Sequence, residues 1–109
     1  MELISFHTTA CEEAARHGLA ARLVAWADYT PAALARWAKR AGVRGVCIEH
    51  FLLHPGLVDS FRVGGLSVTT GTINDAELAA RAAALGVDAI TTDRPAALHR
   101  ELAATLLAA

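Results

Sequence analysis

Glycines that recur at a nearly constant interval, each followed by a short apolar run, constrain the fold of this chain most. The candidate helix-ending glycines are Gly18, Gly42, Gly64 or Gly65, and Gly86, about 22 to 24 residues apart. Glycine suits the end of a helix because it adopts positive φ without steric cost. The apolar runs cover residues 3–6, 23–27, 43–48, 66–73 and 87–91. One supersecondary unit is therefore repeated along the chain.

Helix-start signals keep the same interval. Thr9 with Glu12, and Asn74 with Glu77, have the spacing of a capping box, and Thr30 precedes a proline. Short strands that alternate with helices of ten to twelve residues favour parallel pairing, because a parallel return needs a crossover. The sequence predicts an α/β fold of about five strands and five helices. This period fits a barrel and an open doubly wound sheet alike.

The segment Gly86-Val87-Asp88-Ala89-Ile90-Thr91-Thr92-Asp93-Arg94-Pro95 predicts a strand buried on both faces and then a helix capped by Thr92 or Asp93. Together with Thr72-Ile73-Asn74 it resembles the C-terminal end of the glycerophosphodiester phosphodiesterase family. In that family an aromatic-Thr-x-Asn strand end is followed by a helix and by Gly-Val-Asp-x-Ile-x-Thr-Asp-x-Pro. Upstream, Ile4-Ser5-Phe6 resembles the Ser-Phe strand end of the family, and Arg22 to Trp26 and Val46 to Glu49 fall where its next two strands lie.

The resemblance implies a partial (β/α)8 barrel, namely its C-terminal portion, in a chain of 109 residues against roughly 250 for a whole barrel. It also implies hydrolysis of glycerophosphodiesters to glycerol 3-phosphate and an alcohol, with a divalent cation, Ca²⁺ or Mg²⁺. The His-Arg-Gly, Glu-x-Asp, His-Asp and Glu-x-Lys motifs of the family do not occur in this sequence. We therefore expect no catalytic residue and no cation site in the chain by itself. The alternative is a non-enzymatic module that self-associates or binds a small molecule.

Ligands of a parallel barrel meet the C-terminal ends of its strands. The candidate substrate-lining residues placed there are Ser5, Phe6, Trp26, Glu49, His50, Gly71, Thr72 and Asn74. The same ends carry His7, Asp28, Tyr29, Thr70, Thr92 and Asp93. Helix capping competes with ligand contact for Asn74 and Asp93, and packing competes with it for Phe6 and Trp26. Gly71 stands where the family commonly has an aromatic residue that lines the pocket.

Metal and redox sites have little support in the sequence. Glu49, His50 and His54 form the one cluster of metal-type ligands, but the histidines share a face only within one helix, and Pro55 indicates that a helix begins at or after His54. We expect partly exposed histidines in a loop instead. Cys11 and Cys47 lack the spacing of a metal or redox motif and are expected to be reduced thiols.

Charge and hydropathy limit the partners. The net charge is −1 with basic residues scattered, which disfavours nucleic acid. No apolar run approaches the ~18 residues of a membrane span, and residues 1–9 do not resemble a signal peptide, so a soluble cytoplasmic protein is expected. Five strands of a barrel leave two open edges. The expected partner is a second copy of the chain, or an N-terminal half-barrel.

Overall fold

The computed structural model describes the backbone of residues 1–25 and 30–108, and side chains up to residue 104. Within these residues, strands and α-helices alternate strictly along the chain. The strands are β1 (Glu2–Ser5), β2 (Ala20–Ala25), β3 (Gly45–Glu49), β4 (Ser67–Gly71) and β5 (Ala89–Ile90). The helices are α1 (Thr8–Arg16), α2 (Pro31–Ala41), α3 (Pro55–Val63), α4 (Ala76–Ala84) and α5 (Pro95–Ala108), and a 3₁₀ turn (His50–Leu52) follows β3. The expected α/β fold is confirmed.

The strand order distinguishes the two architectures that the sequence left open. All pairs are parallel and the order is β1-β2-β3-β4-β5, so each strand lies beside its neighbours in sequence. A doubly wound sheet reverses its order at a switch point, whereas a barrel does not. The sheet is therefore singly wound, as in a segment of a barrel.

The helices cover one face of this sheet. Leu23, Val46 and Val68 occupy matching register positions and pack in one cluster with Leu34 of α2 and Phe61 of α3. A second cluster joins α4 and α5 through Ala79, Ala82 and Leu98, packed against Ile90. Ile90 is in register with Thr70 on the same face. Burial of this apolar face is the main favourable contribution to folding.

The opposite face, called the inner face below, is built from the alternate strand positions. It carries Arg22, Gly45 and Ser67 near the strand starts and Glu49 and Gly71 at the strand ends. The Arg22 guanidinium lies across Gly45 and donates to Ser67 Oγ at 2.8 Å and to the Val46 carbonyl at 3.1 Å. Its Nε donates to Glu2 Oε1 at 3.1 Å. One side chain thus ties the first four strands together at their N-terminal ends.

Glycines end the repeats as expected. Gly42 caps α2 with φ of 77°, and Gly65 and Gly86 have φ of 83° and 91°. Gly64, the other candidate after α3, has an ordinary φ of −74° and is needed for space, because a Cβ there would lie 2.7 Å from the Ala35 Cβ.

Replacing Gly86 with valine is expected to lower the free energy of unfolding by about 1 to 3 kcal/mol, because a β-branched residue is strained at positive φ. A Cβ at this position would also lie 3.3 Å from Nη1 of Arg62, which donates to the Gly86 carbonyl. Urea denaturation followed by circular dichroism measures the change. Gly56→Ala is the control, because Gly56 lies within α3 and its Cβ would meet only the His54 ring at 3.5 Å. An unchanged midpoint for Gly86→Val would refute the assignment of strain.

The strand bounds differ from the sequence prediction at several ends. The clearest difference is β2, which begins at Ala20 rather than Leu23, because Ala20 and Ala21 pair with Glu2 and Leu3. Residues 26 and 27, the predicted end of that strand, lie outside the described residues. The prediction of a last strand buried on both faces is wrong, since β5 has two residues, with Ala89 exposed and Ile90 half-buried. Asp88 before it bonds instead to the β4 backbone, its carboxylate accepting from the Val68 amide at 2.8 Å.

Both predicted capping boxes are wrong by one or two residues. Helix α1 has His7 rather than Thr9 at its N-cap, without a side-chain cap. Helix α4 is capped by Asp75, whose carboxylate accepts from the Leu78 amide at 3.0 Å, which leaves Asn74 free for other contacts. Asn74 and Asp75 are both residue types that can cap α4, and the contacts of Asn74 with the neighbouring loop leave this role to Asp75.

Both cysteines are free thiols, as expected. Cys11 is fully buried in the helix-side core, and burial, with a smaller effect of the Glu12 charge, raises the pKa of its thiol. A protonated buried thiol behaves as a small apolar side chain. Cys11 therefore belongs to the core.

Candidate functional site

The C-terminal edge of the sheet brings most of the predicted site residues together. Neighbouring parallel strands end there with Ser5, Ala25, Glu49, Gly71 and Ile90. The segments that follow Ser5, Glu49, Gly71 and Ile90 form one rim above the inner face, which we call the strand-end rim. Trp26, Asp28 and Tyr29, predicted at the end of β2, lie outside the described residues.

The β1 end of the rim carries Ser5 and Phe6. The Ser5 hydroxyl accepts from the His7 amide at 3.0 Å and so stabilises the turn into α1. The Phe6 side chain is 53% exposed rather than packed in the core. An exposed aromatic ring on the rim offers an apolar surface to a ligand or to a further strand.

Glu49 and His50 lie at the end of β3. Glu49 is half-buried at the inner-face position in register with Gly71, and no described residue forms a hydrogen bond or ion pair with its carboxylate. His50 begins the 3₁₀ turn, with its ring edge-on to Phe51. Glu49 is the acidic group that faces the inner side of the rim.

His54 does not join Glu49 and His50 in a site. It is the N-cap of α3, and its Nδ1 accepts from the Leu57 amide at 3.2 Å. The expectation that this helix begins at or after His54 is confirmed. Among the described residues no group of three His, Cys, Asp or Glu side chains could hold a metal ion. The described residues thus form no ligand set for the divalent cation that the resemblance implies.

Gly71 and Thr72 form the β4 end of the rim. A Cβ at Gly71 would lie 2.7 Å from the Thr91 Cβ and 3.1 Å from the Thr91 carbonyl oxygen. Thr91 therefore occupies the space beside the backbone where the family commonly has an aromatic residue. Thr72 is exposed, and its hydroxyl is bonded to no described residue.

Asn74 links this loop to the next one. Its Oδ1 accepts from the Thr92 hydroxyl at 2.8 Å and from the Asp93 amide at 3.0 Å, and its Nδ2 donates to Asp93 Oδ2 at 3.2 Å. Arg94 Nε donates to the Asn74 carbonyl at 3.0 Å. We call Asn74, Thr92, Asp93 and Arg94 the loop clamp. Thr92, Asp93 and Arg94 follow Asn74 by 18 to 20 positions, so the sequence spacing does not indicate that they are in contact.

The model of the glycerophosphoryl diester phosphodiesterase family matches residues 2–97, so the chain belongs to that family. No sequence among the curated proteins matches it.

Solved structures place the chain within the family fold. A glycerophosphodiester phosphodiesterase from Parabacteroides distasonis is 27% identical, with a TM-score of 0.75 over 94% of this chain and 43% of its own. A provisionally named glycerophosphoryl diester phosphodiesterase from Silicibacter pomeroyi is 28% identical, with a TM-score of 0.80 over 95% of this chain and 38% of its own. A phosphodiesterase from Oleispira antarctica, in complex with the product sn-glycerol-3-phosphate, is 22% identical, with a TM-score of 0.82 over 93% and 41%.

The chain spans about two fifths of the length of these structures. Their likeness, together with the singly wound sheet, identifies the fold as a segment of the family barrel. Five strands are present in the described residues, and a (β/α)8 barrel has eight. None of the described helices is long and apolar enough to cross a membrane.

Proposed function

We propose that the chain supplies one wall of a glycerophosphodiester site, and that the strand-end rim contacts the glycerol or alcohol part of the ligand. The observation that carries this proposal is the presence of Glu49 and Thr72 at the ends of two neighbouring strands, β3 and β4, of a family barrel segment. Both groups are accessible and neither is bonded to a described residue. Hydroxyl groups are their natural ligands, since a carboxylate accepts and a threonine hydroxyl both donates and accepts.

The charge of Glu49 argues for the polyol end of the ligand rather than its phosphate. A carboxylate repels a phosphodiester anion, whereas it strengthens a hydrogen bond from a neutral hydroxyl. The Oleispira antarctica relative, which holds sn-glycerol-3-phosphate, supports glycerol 3-phosphate as the probe. Hydrolysis further requires the cation and histidines of the family motifs, which three additional βα units would carry. A cytoplasmic location stays a prediction.

Binding of sn-glycerol 3-phosphate to the purified chain tests the proposal. In an NMR titration we expect shifts confined to the amides of the strand-end rim, and Thr72→Val and Glu49→Gln are each expected to weaken binding about threefold to tenfold. Ser60→Ala is the control, because Ser60 is exposed on α3 and donates only to the Gly56 carbonyl. Shifts away from the rim, or affinities that neither rim variant changes, would reject the assignment.

Self-association is expected of the chain without those further units. Strand β1 pairs with β2 alone in the described residues, and Ile4 and Phe6 beside its open edge are 57% and 53% exposed. An apolar open edge without proline or lysine has little protection against edge pairing. We expect sedimentation equilibrium at micromolar concentration to show a dimer, and Ile4→Lys to shift it toward monomer. A stable wild-type monomer would contradict this prediction.

A further inference from the structure

The loop clamp joins the segment Thr72-Ile73-Asn74 to the end of the segment 86–95. The Asn74 side chain uses both ends of its amide within the protein, with two donors on Oδ1 and one acceptor at Nδ2. It does not cap α4, because Asp75 does. Asn74 is thus satisfied within the protein and has little capacity left for a ligand, although the sequence placed it among the lining residues.

The backbone around the clamp is joined at the same place. The Ile73 amide donates to the Thr91 carbonyl at 2.9 Å, and the Thr91 amide donates to the Thr70 carbonyl at 2.8 Å. Gly71 lets the Thr91 side chain pack directly against its backbone. The loop after β4 and the loop after β5 therefore form one unit, and Thr72 is the exposed residue held between Gly71 and Ile73.

We propose that Asn74 is a positioning residue: it fixes the loop after β4 against the loop after β5 and thereby holds the Thr72 hydroxyl where a glycerol hydroxyl would meet it. That ligand role rests on the proposed function, but the coupling of the two loops does not. The coupling requires a side-chain amide at position 74. Its oxygen accepts from the Thr92 hydroxyl and the Asp93 amide, and its nitrogen donates to the Asp93 carboxylate. Neither an alanine nor an aspartate supplies both.

Four variants separate positioning from simple stabilisation. Asn74→Ala removes the whole clamp contact. Asn74→Asp keeps the two hydrogen bonds that residue 74 accepts but places its carboxylate against that of Asp93. The double variant Asn74→Asp/Asp93→Asn removes this repulsion, because the side chain at position 93 then donates and the one at position 74 accepts. Asp75→Ala removes the α4 cap and leaves the clamp, so it reports a stability loss without loss of positioning.

Amide hydrogen exchange and glycerol 3-phosphate titration are measured on all four variants and the wild type. We expect Asn74→Ala to accelerate exchange of the Ile73 and Asp93 amides and to weaken glycerol 3-phosphate binding about tenfold, with Asn74→Asp/Asp93→Asn close to wild type. Asp75→Ala should change neither quantity.

Each contrary result has a definite meaning. Equal protection in Asn74→Ala and wild type, or no rescue by the double variant, overturns the inference. Loss of ligand affinity in Asp75→Ala equal to that in Asn74→Ala also overturns it, because stability alone would then explain the effect. If the wild type does not bind glycerol 3-phosphate, the proposed function fails, and the exchange data decide whether Asn74 couples the loops.

Discussion

The 109-residue chain should release no glycerol 3-phosphate from glycerophosphocholine in the presence of Ca²⁺ or Mg²⁺, at any concentration of protein. A divalent cation neutralises the charge that develops on the phosphoryl group and activates the attacking oxygen. The family motifs that hold this cation do not occur in the sequence, and no group of potential ligands forms in its described part. A coupled assay for glycerol 3-phosphate should therefore equal the blank without protein.

Contamination is the main source of a false positive in this assay. Turnover that is metal-dependent, co-purifies with the chain, and is lost in Glu49→Gln or His50→Ala would show that the chain builds its own centre, and would contradict the prediction. Turnover that these variants leave unchanged identifies a contaminating host enzyme.

Gly45→Ala is expected to destabilise the fold strongly. A Cβ at this position would lie 2.5 Å from Cζ and Nη1 of Arg22. The guanidinium cannot move away without losing its bonds to Glu2, Ser67 and the Val46 carbonyl, and the Arg22 side chain is only 13% exposed. We expect a loss of about 2 to 4 kcal/mol in the free energy of unfolding, from steric overlap and broken hydrogen bonds together.

A double-mutant cycle isolates the cause. In an Arg22→Ala background the guanidinium is absent, so Gly45→Ala should cost at least about 1 kcal/mol less than in the wild type. Urea denaturation of the four proteins gives the coupling. Equal costs in the two backgrounds would show that the overlap with Arg22 is not the reason that glycine is needed at position 45.

The helices and strands could be predicted from the sequence because a few adjacent residues mark where each helix begins or ends. Gly42 and Gly86 end their repeats at positive φ, and Pro31, Pro55 and Pro95 open their helices. The first residue of each helix was harder to predict. Thr9 near the start of α1, and Asn74 and Asp75 before α4, are all good caps by residue type, and the loop before each helix determines which residue becomes its cap. Strand β2 begins in alanines, which have no strand preference of their own and are placed there by pairing with β1.

The contacts that define the rim and the inner face are long-range, and no periodicity in the sequence indicates them. Arg22 meets Gly45 and Ser67 only because the register of three strands places them side by side. Asn74 meets Thr92 and Asp93 because two neighbouring strands end at the same edge. Resemblance to the family located these motifs, and the geometry shows that Asn74 binds the next loop.

We propose that this chain is the substrate-facing segment of a glycerophosphodiester phosphodiesterase barrel. A fusion tests this assignment: the part of the Parabacteroides distasonis enzyme that aligns with this chain is replaced by residues 1–109. We predict hydrolysis of glycerophosphocholine by the fusion, reduced by Thr72→Val and abolished when a chelator removes divalent cations. A fusion that folds, binds the cation and remains inactive would contradict the claim.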